Sequence, residues 1–578
     1  MKLSSAFGLL SLLATSVPSI NAATAEQWHG KSIYQLITDR FAPPSATAPA
    51  RTSPLPETCD PTLQTWCGGT WLSIIDKLDY IHDMGMDAIW ISPVAKNIDV
   101  YTPYNYAYHG YWVLDPTQLN PRFGSEADLH ALVDAVHARG MYIMVDVVVN
   151  NIPSLSTSEY LDSASLQAGG SLWTETVEFH HQCWIDYSNM TSVQQCWLGD
   201  DKLPLMDVNT ENPKVMDTLQ KYIAEFVSTY HIDGLRIDAA KHVDAAFWPP
   251  FCAAAGVFCI GEVYGDDMGY AASYQTEKIM DSILGFPLYY GITAGFGTPM
   301  GNMSHFVDIA NQVLTAFPHP ELLGNFIENH DLPRFRNATV DPQLAYNAMV
   351  AQFVFEGLPV VYYGQEQDFA DGAGDPYNRQ ALWPSNYNNG TTYNRIATLN
   401  KVRHALIANQ TTFEGKSFLD YQAKIVASSN YDVAIRKGPV LAVLTNRGSP
   451  SQAASFGVVK TGWNSQSAVV DLLSCKQSTV MAEQSISVSY ADSGYGGMPY
   501  LFMSTTDATA LGLCGLGTTT AAVTGGSSGG STKSNTGGSS SSGSTSSAAL
   551  NSVSPHPAVV GAGVLVLVAA GALGRFFA

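Results

Sequence analysis

The amino-acid sequence predicts an α/β fold, a (β/α)8 TIM barrel, followed by a C-terminal antiparallel β-sandwich domain. Short apolar runs alternate with helix-like segments along most of the chain. This alternation indicates parallel strands joined by crossover helices, and about eight such units favour a closed barrel over an open sheet. The predicted barrel strands are residues 32–37, 88–91, 142–149, 234–237, 257–260, 282–284, 323–327 and 358–363.

The helices and the C-terminal domain follow from the same pattern. Residues 125–139 and 213–230 are the clearest helix-like stretches between predicted strands. Near residue 412 the pattern changes to short alternating runs, such as 433–436 and 440–444, with Gly-rich turns. Such runs indicate a separate antiparallel β domain.

The composition bounds the class of protein. The 578 residues are 46% hydrophobic, which allows a large core. The chain has 29 Lys and Arg against 50 Asp and Glu, a formal net charge of −21. Because an acidic surface repels phosphate backbones, we do not expect nucleic acid as a partner.

The first 22 residues have the order of a secretory signal peptide. Lys2 precedes an apolar run at 6–13, and Pro18 and small residues follow it. We expect cleavage after Ala22. A first buried helix is the alternative, but the run is short and ends close to a proline.

Eight cysteines form four pairs of sequence neighbours, which fits an oxidising compartment. Pairing of neighbours is the simplest connectivity, and the absence of a CxxC motif argues against a zinc or thioredoxin-type site. The simplest disulfides are Cys59–Cys67, Cys183–Cys196, Cys252–Cys259 and Cys475–Cys514. N-x-S/T sequons, which agree with secretion, lie at Asn189, Asn302, Asn337, Asn389 and Asn409.

The C-terminus has the composition of a cell-surface attachment. Residues 517–547 are almost all Gly, Ser, Thr and Ala, which predicts a flexible stalk. Residues 548–578 combine small residues, a short spacer and a terminal apolar tail, as in a GPI-anchor signal that is removed. A single membrane-spanning helix is the alternative, but no basic flank follows the tail. We therefore expect a secreted protein held at the cell membrane or cell wall.

Several predicted strands carry or end in an acidic residue. The C-terminal ends of barrel strands form the active face, so these acids meet at one rim. Arg236 and Lys241 are near enough in sequence to offset some of their charge. Helix capping explains any single acid as well as function does, but it explains the ordered set less well. The four acids are Asp146, Asp238, Glu262 and Asp331.

Four short segments occur in order along the chain: DVVVNN (146–151), GLRIDAAKH (234–242), GEV (261–263) and FIENHD (326–331). They resemble the signature regions of the α-amylase family of retaining glycoside hydrolases. The similarity covers roughly residues 25 to 515 and is greatest to secreted fungal α-amylases. It implies a catalytic barrel over residues 23–150 and 207–412, an inserted domain over 151–206 after the third strand, and a C-terminal domain over 413–516.

The resemblance implies a role for each rim acid. Asp238 matches the nucleophile, Glu262 the general acid/base, and Asp331 the third carboxylate, which holds substrate hydroxyls. Asp146 matches a structural acid near Arg236. Other positions match substrate-binding residues: Tyr111, which stacks on the sugar, and His109, Trp112, Asn151, Arg236, Lys241, His242, His330, Asp375 and Arg379.

The family resemblance also implies a structural Ca²⁺ between the barrel and the inserted domain. The matching ligands are Asn150, Gln194, Asp207 and the main-chain carbonyl of His242, and oxygen ligands of this kind suit calcium. Gln194 stands where the family has a glutamate. If Pro204 fixes the alignment, the family's aspartate position falls on Leu205, and Asp207 is the nearest acid.

A second departure is Asn151, which stands where the family has a histidine that donates to the sugar. Asparagine donates too, but it is shorter and cannot be charged. The change resembles the GPI-anchored branch of the family, which is associated with 4-α-glucanotransferases. A role in shaping the turn after the strand is the alternative.

The functional expectation is a monomeric enzyme acting on an α-1,4-glucan or a malto-oligosaccharide. The favoured function is a cell-surface 4-α-glucanotransferase in fungal wall α-glucan metabolism. The first alternative is an α-amylase that hydrolyses internal α-1,4 bonds of starch-like glucans. A non-catalytic glucan-binding protein is a further alternative, which the intact rim acids disfavour.

Overall fold

A computed structural model describes residues 23–44, 59–154, 163–409, 411–449, 454–490 and 496–516. The predicted signal peptide, stalk and anchor signal lie outside these ranges. Among the helices in these ranges, none combines the length and apolar character needed to cross a membrane.

The chain forms the following strands in the described ranges. They are β1 (Ile33–Leu36), β2 (Ala88–Ile91), β3 (Ala95–Asn97), β4 (Val113–Leu119), β5 (Tyr142–Val147), β6 (Asn151–Pro153), β7 (Leu198–Gly199), β8 (Pro204–Asp207), β9 (Gly234–Ile237), β10 (Phe258–Gly261), β11 (Ser282–Ile283), β12 (Gly324–Asn325), β13 (Leu358–Tyr362), β14 (Lys424–Ser428), β15 (Asp432–Lys437), β16 (Val440–Thr445), β17 (Ser455–Val458), β18 (Ala468–Asp471), β19 (Gln477–Thr479), β20 (Ile486–Ser489) and β21 (Tyr500–Ser504).

The same ranges contain α-helices of the barrel, of the inserted region and of the C-terminal domain. They are α1 (Ala25–Trp28), α2 (Thr38–Phe41), α3 (Trp71–Ile75), α4 (Leu78–Asp83), α5 (Glu126–His137), α6 (Ser163–Gly169), α7 (Met190–Gln195), α8 (Pro213–Tyr230), α9 (Trp248–Ala255), α10 (Met268–Thr276), α11 (Phe286–Phe296), α12 (Met303–Ala316), α13 (Phe335–Ala338), α14 (Pro342–Val354), α15 (Thr391–Ala408) and α16 (Thr505–Ala510).

The predicted barrel is confirmed. Eight parallel strands run in the order β11-β10-β9-β5-β2-β1-β13-β12, and a parallel bridge between Leu284 and Gly324 brings the two ends of this sheet together. The barrel strand β12 is shorter than the predicted 323–327 and ends at Asn325. There the main-chain oxygen of Asn325 accepts a hydrogen bond from Gln352 Nε2 at 2.9 Å, so a side chain takes the place of a strand partner.

The inserted region has its own small sheet. Strands β6, β8 and β7 pair antiparallel in that order, with Asn151 opposite Asp207. β6 begins directly after the loop that ends β5, so the insertion grows from the rim of the barrel. This origin brings the inserted residues beside the strand ends.

The C-terminal domain is antiparallel, as predicted. Six strands form one sheet in the order β14-β15-β16-β21-β18-β19, and β17 pairs with β20 in a second layer. One apolar cluster, which includes Leu441, Val458 and Val488, fills the space between the layers. The opposite face of the larger sheet packs on the barrel, where Lys437 Nζ lies 2.8 Å from Glu356 Oε1 in a buried ion pair.

Three of the four simplest disulfides are present, namely Cys59–Cys67, Cys183–Cys196 and Cys475–Cys514. The expectation for Cys252 and Cys259 is wrong for this structure, in which both are free thiols. A hydrogen bond to Cys252 and burial raise the pKa of Cys259, so the two groups are neighbours held as thiols. Proximity in sequence does not distinguish a hydrogen-bonded pair from a bonded one.

Candidate active site

The predicted rim acids do meet at the C-terminal ends of adjacent strands. In the barrel register, Asp146 on β5 lies opposite Arg236 on β9. Asp238 follows β9 directly, and Glu262 follows β10, the next strand in the sheet. The parallel register therefore places these four side chains together at one edge.

Arg236 is the centre of this cluster and is almost fully buried. Its Nη1 donates to Asp146 Oδ1 and Oδ2 at 2.8 and 2.9 Å and to Asp238 Oδ1 at 2.8 Å. Its Nη2 lies 2.8 Å from Glu262 Oε2, which also accepts from the main-chain N–H of Ala239 at 3.0 Å. One guanidinium thus orients three carboxylates, as its rigid fork of donors allows.

Asp331 has a separate set of partners. Its Oδ1 lies 3.1 Å from Arg379 Nη2, and its Oδ2 lies 3.1 Å from His330 Nε2. Arg379 also pairs with Asp375 at 3.0 Å and donates from Nε to the main-chain oxygen of His330 at 2.9 Å. Asp331 is therefore held in place by residues that the family resemblance identifies as substrate-binding.

Burial governs the protonation of the cluster. It raises the pKa of Asp238, Glu262 and Asp331, and the charge of Arg236 opposes the rise in each case. Repulsion from Glu262 and Asp146 adds to the rise at Asp238, and repulsion from Asp331 adds to it at Glu262. Carboxylates crowded in this way retain a proton more readily than isolated ones.

Aromatic rings form one wall of the site. The rings of Tyr111 and His330 stack with centroids 5.1 Å apart, and His109 packs between Tyr111 and Trp112. The Tyr111 hydroxyl donates to Asp146 Oδ2 at 2.7 Å. Burial lowers the pKa of His109 and of His330 well below the usual value, so both rings are neutral at ordinary pH.

A cleft of about 890 Å³ lies between the inserted domain and the barrel residues His109, Trp112, Asp375 and Arg379. Trp184, which is 46% exposed, and Tyr187, which is 48% exposed, line it from the loop closed by the Cys183–Cys196 disulfide. Neither ring was expected from the sequence, although two aromatic residues in one short disulfide loop indicate a sugar-binding surface. A second cleft, of about 240 Å³, also contacts Tyr187 and is lined by Lys241.

Asn151 lies where strand β6 begins and is 2% exposed. Its Nδ2 has no hydrogen-bond partner in the described ranges. The same holds for both ring nitrogens of His242, another residue that the resemblance assigned to the substrate. Buried polar atoms of this kind are costly unless a ligand or water satisfies them.

Three of the four expected calcium ligands converge. The side-chain amide of Asn150 faces the main-chain oxygen of His242 and Oδ1 of Asp207. The fourth, Gln194, directs Nε2 at the main-chain oxygen of Val243, 3.4 Å away. Asp207 Oδ2 lies 2.5 Å from His180 Nδ1.

His180 bridges two carboxylates. Its Nε2 lies 3.1 Å from Glu211 Oε2, on the side opposite Asp207. Burial alone would lower the pKa of His180, but the hydrogen bonds to Asp207 and Glu211 outweigh it and raise that pKa to about 9. In the ranges that the structure covers, no group of three or more His, Cys, Asp or Glu side chains is arranged so that it could hold a metal ion.

A parallel barrel with paired carboxylates at its C-terminal rim and aromatic rings beside them is an arrangement that glycosidases use. The comparisons with known proteins agree. A family model described as "Alpha amylase, catalytic domain" matches residues 35–426, and one described as "Alpha-amylase, domain C" matches residues 425–522. The chain belongs to the α-amylase family of glycosidases.

Individual relatives are fungal. "Alpha-amylase 1" of Lipomyces kononenkoae is 43% identical over 419 residues, which are 71% of this chain and 63% of that protein. "Alpha-amylase" of Saccharomycopsis fibuligera is 38% identical over 83% of this chain and 92% of its own length. The solved structure of an α-amylase from Malbranchea cinnamomea has a TM-score of 0.77 at 39% identity, covering 85% of this chain and all of that one.

Proposed function

We propose that this protein cleaves α-1,4-glucosidic bonds with retention of configuration, through a glycosyl-enzyme formed on Asp238. The observation that carries the proposal is the shared guanidinium of Arg236, which contacts both Asp238 and Glu262 at 2.8 Å. This holds the two carboxylates close together on neighbouring strands, and retaining glycosidases need a short separation for direct attack.

In the first step, an Asp238 oxygen forms a bond to the anomeric carbon as the bond to the glycosidic oxygen breaks. Glu262 gives its proton to that departing oxygen. In the second step, the Glu262 carboxylate takes a proton from an incoming hydroxyl, whose oxygen bonds the same carbon while the bond to Asp238 breaks. Burial raises the pKa of Glu262, which favours the proton that it needs at the start. Burial raises the pKa of Asp238 as well, but the charge of Arg236, whose Nη1 donates to Asp238 Oδ1 at 2.8 Å, opposes that rise and favours the ionised nucleophile.

Asp331 and the aromatic wall hold the sugar. Asp331 is fixed by His330 and Arg379 at 3.1 Å each, so its carboxylate is directed without help from the substrate. Tyr111 presents a ring whose hydroxyl is anchored on Asp146. A preorganised stacking face and a preorganised acceptor are what distortion of a bound glucose requires.

The substrate class rests on the family and on the relatives, which are named α-amylases. The cleft extends well beyond one sugar and includes exposed Trp184 and Tyr187, which suits a chain of several glucose units.

Two variants test the chemistry. Asp238→Asn and Glu262→Gln should each abolish cleavage of maltopentaose while the folded structure is retained. Asp266→Asn, in the neighbouring second cleft, is the matched control and should keep activity. Full activity in either of the first two variants would overturn the assignment.

The second candidate function is transfer to another glucan rather than to water. It is favoured by Asn151, which stands where the resemblance places a histidine and whose buried Nδ2 has no partner among the described residues. A neutral, short donor changes how the sugar is held in the intermediate, and the fate of that intermediate decides hydrolysis or transfer. The names of the relatives favour hydrolysis.

The product profile from maltopentaose separates the two functions. Transfer predicts glucans longer than the substrate early in the reaction, with few new reducing ends. A steady rise of reducing ends with no longer products would exclude transfer and leave hydrolysis.

We also propose that the protein is secreted, monomeric and attached through a GPI anchor at the cell surface. The three disulfides support an oxidising compartment, and the C-terminal sequence supports the anchor. Release of the protein from cells by a phosphatidylinositol-specific phospholipase is expected, and retention after that treatment would contradict the anchor.

A further inference from the structure

We propose that the inserted domain is joined to the barrel by a hydrogen-bonded latch in place of a structural calcium ion. The latch consists of Asn150, Asp207, His180 and the main-chain oxygen of His242. Members of the α-amylase family often bind calcium, so this protein would differ from them in needing no metal. The inference is independent of whether the enzyme hydrolyses or transfers.

The latch connects three parts of the fold. Asn150 ends the loop after barrel strand β5, and His242 lies just beyond β9. Asp207 ends β8 of the inserted sheet, and His180 lies in the inserted region, where its main-chain N–H donates to the Asp207 oxygen at 3.0 Å. A stable link here therefore fixes the insertion against the rim.

The orientation of the Asn150 amide is the first argument. With its nitrogen turned inward, it donates to the His242 oxygen at 2.9 Å and to Asp207 Oδ1 at 3.1 Å. The structure places the amide oxygen inward, so that three oxygens face one another and the amide nitrogen has only Asn151 Oδ1 at 3.5 Å. Without a cation, the nitrogen-inward orientation gives both of these oxygens a donor, whereas the oxygen-inward orientation leaves them facing a third oxygen.

The charge of the group is the second argument. Asp207 is its only carboxylate, and the second oxygen of Asp207 is bound to His180 at 2.5 Å. His180 is held in turn by Glu211 at 3.1 Å. A calcium ion takes six to eight oxygen ligands and prefers several negative ones, whereas this site offers one carboxylate that already has a donor.

The remaining positions do not add carboxylates. Gln194 is neutral and directs its nitrogen at the Val243 oxygen. Leu205 is 2% exposed and packs in the apolar core. Both observations agree with a site built for hydrogen bonds rather than for a divalent cation.

The test compares the whole protein with and without Ca²⁺. After gel filtration from a calcium-containing buffer, elemental analysis should find almost no calcium, and EDTA should shift Tm by less than about 1 °C. About one calcium ion per chain, with a Tm that falls by several degrees in EDTA, would overturn the proposal.

A variant tests the latch itself. Asn150→Asp removes both donors and places a carboxylate against Asp207, so we expect a lower Tm in EDTA and partial recovery in millimolar Ca²⁺. The matched control is Asn446→Asp, because buried Asn446 donates to the oxygens of Gly295 and Gly301 at 2.9 and 2.8 Å.

The Asn446→Asp control should have a lower Tm than the wild type, and Ca²⁺ should not raise it again. An Asn150→Asp protein as stable in EDTA as the wild type would show that the amide is not part of a latch. Should Asn150→Asp fail to fold, the calcium content and EDTA response of the wild type still decide the proposal.

Discussion

The Arg236→Lys substitution tests the rim cluster most sharply. Lysine keeps the positive charge but ends in one nitrogen, so it cannot contact Asp238 and Glu262 together as Nη1 and Nη2 of Arg236 do at 2.8 Å. The lost charged hydrogen bonds are worth about 1.5–3 kcal/mol each. If about 3–4 kcal/mol of this appears in the transition state, kcat/KM falls roughly 10²- to 10³-fold.

The assay is kcat/KM on maltopentaose, with circular dichroism and Tm to confirm folding. Arg334→Lys is the matched control, because Arg334 is also buried and pairs with buried Glu328 at 2.8 Å outside the cluster. It should lose stability but keep kcat/KM within about threefold once folded. A folded Arg236→Lys enzyme within tenfold of wild type, or an equal loss in Arg334→Lys, would refute the reasoning.

Three further predictions concern single side chains. Asn151→His should lower the ratio of transfer to hydrolysis products from maltopentaose, and an unchanged ratio would remove Asn151 as the determinant. Burial raises the pKa of Glu262, and the Lys241 charge opposes that rise. Lys241→Met removes the charge, so the Glu262 pKa and the alkaline limb of the kcat/KM pH profile should move to higher pH. A shift to lower pH would contradict this. Burial raises the pKa of Glu366 from 4.5 to about 7 in the folded protein, so its contribution to stability is full below about pH 4.5 and falls by about 3 kcal/mol as pH rises through 7. Glu366→Gln should therefore reduce the loss of stability between about pH 5 and about pH 8 in urea unfolding, and an unchanged pH dependence would contradict the raised pKa.

The barrel could be predicted because its signals are local. Each strand is a short apolar run, and the observed strands lie within a residue or two of the expected ones at most positions. Strand β12 ends two residues before its predicted end, at Asn325, whose main-chain oxygen accepts a hydrogen bond from Gln352 Nε2. Because that hydrogen bond joins residues far apart in sequence, the pattern of residues within the strand does not predict it.

The set of acids at the barrel rim could be predicted from the sequence, but not all of their hydrogen-bond partners could. Asp146 and Arg236 were expected to pair, and they do at 2.8 Å. The second and third contacts of Arg236, to Asp238 and Glu262, depend on the register of three strands and on side-chain direction. Spacing along the chain does not encode that register.

The calcium expectation shows the limit of matching positions. Sequence placed Asn150, Gln194, Asp207 and His242 in one set, and three of them converge. The sequence could not show that His180 holds the other oxygen of Asp207, since it lies 27 residues away. Whether a set of oxygens binds a cation or a donor depends on such neighbours.

The covalent glycosyl-enzyme on Asp238 can be tested directly by incubating the Glu262→Gln enzyme with α-maltosyl fluoride. The fluoride leaves without a proton, so Asp238 should still be glycosylated while release is slowed for lack of a base. We expect a maltosyl group on the peptide that contains Asp238, and α-maltose as the first product of the wild-type enzyme by NMR. β-Maltose as the first product, or a maltosyl group on a different residue, would contradict it.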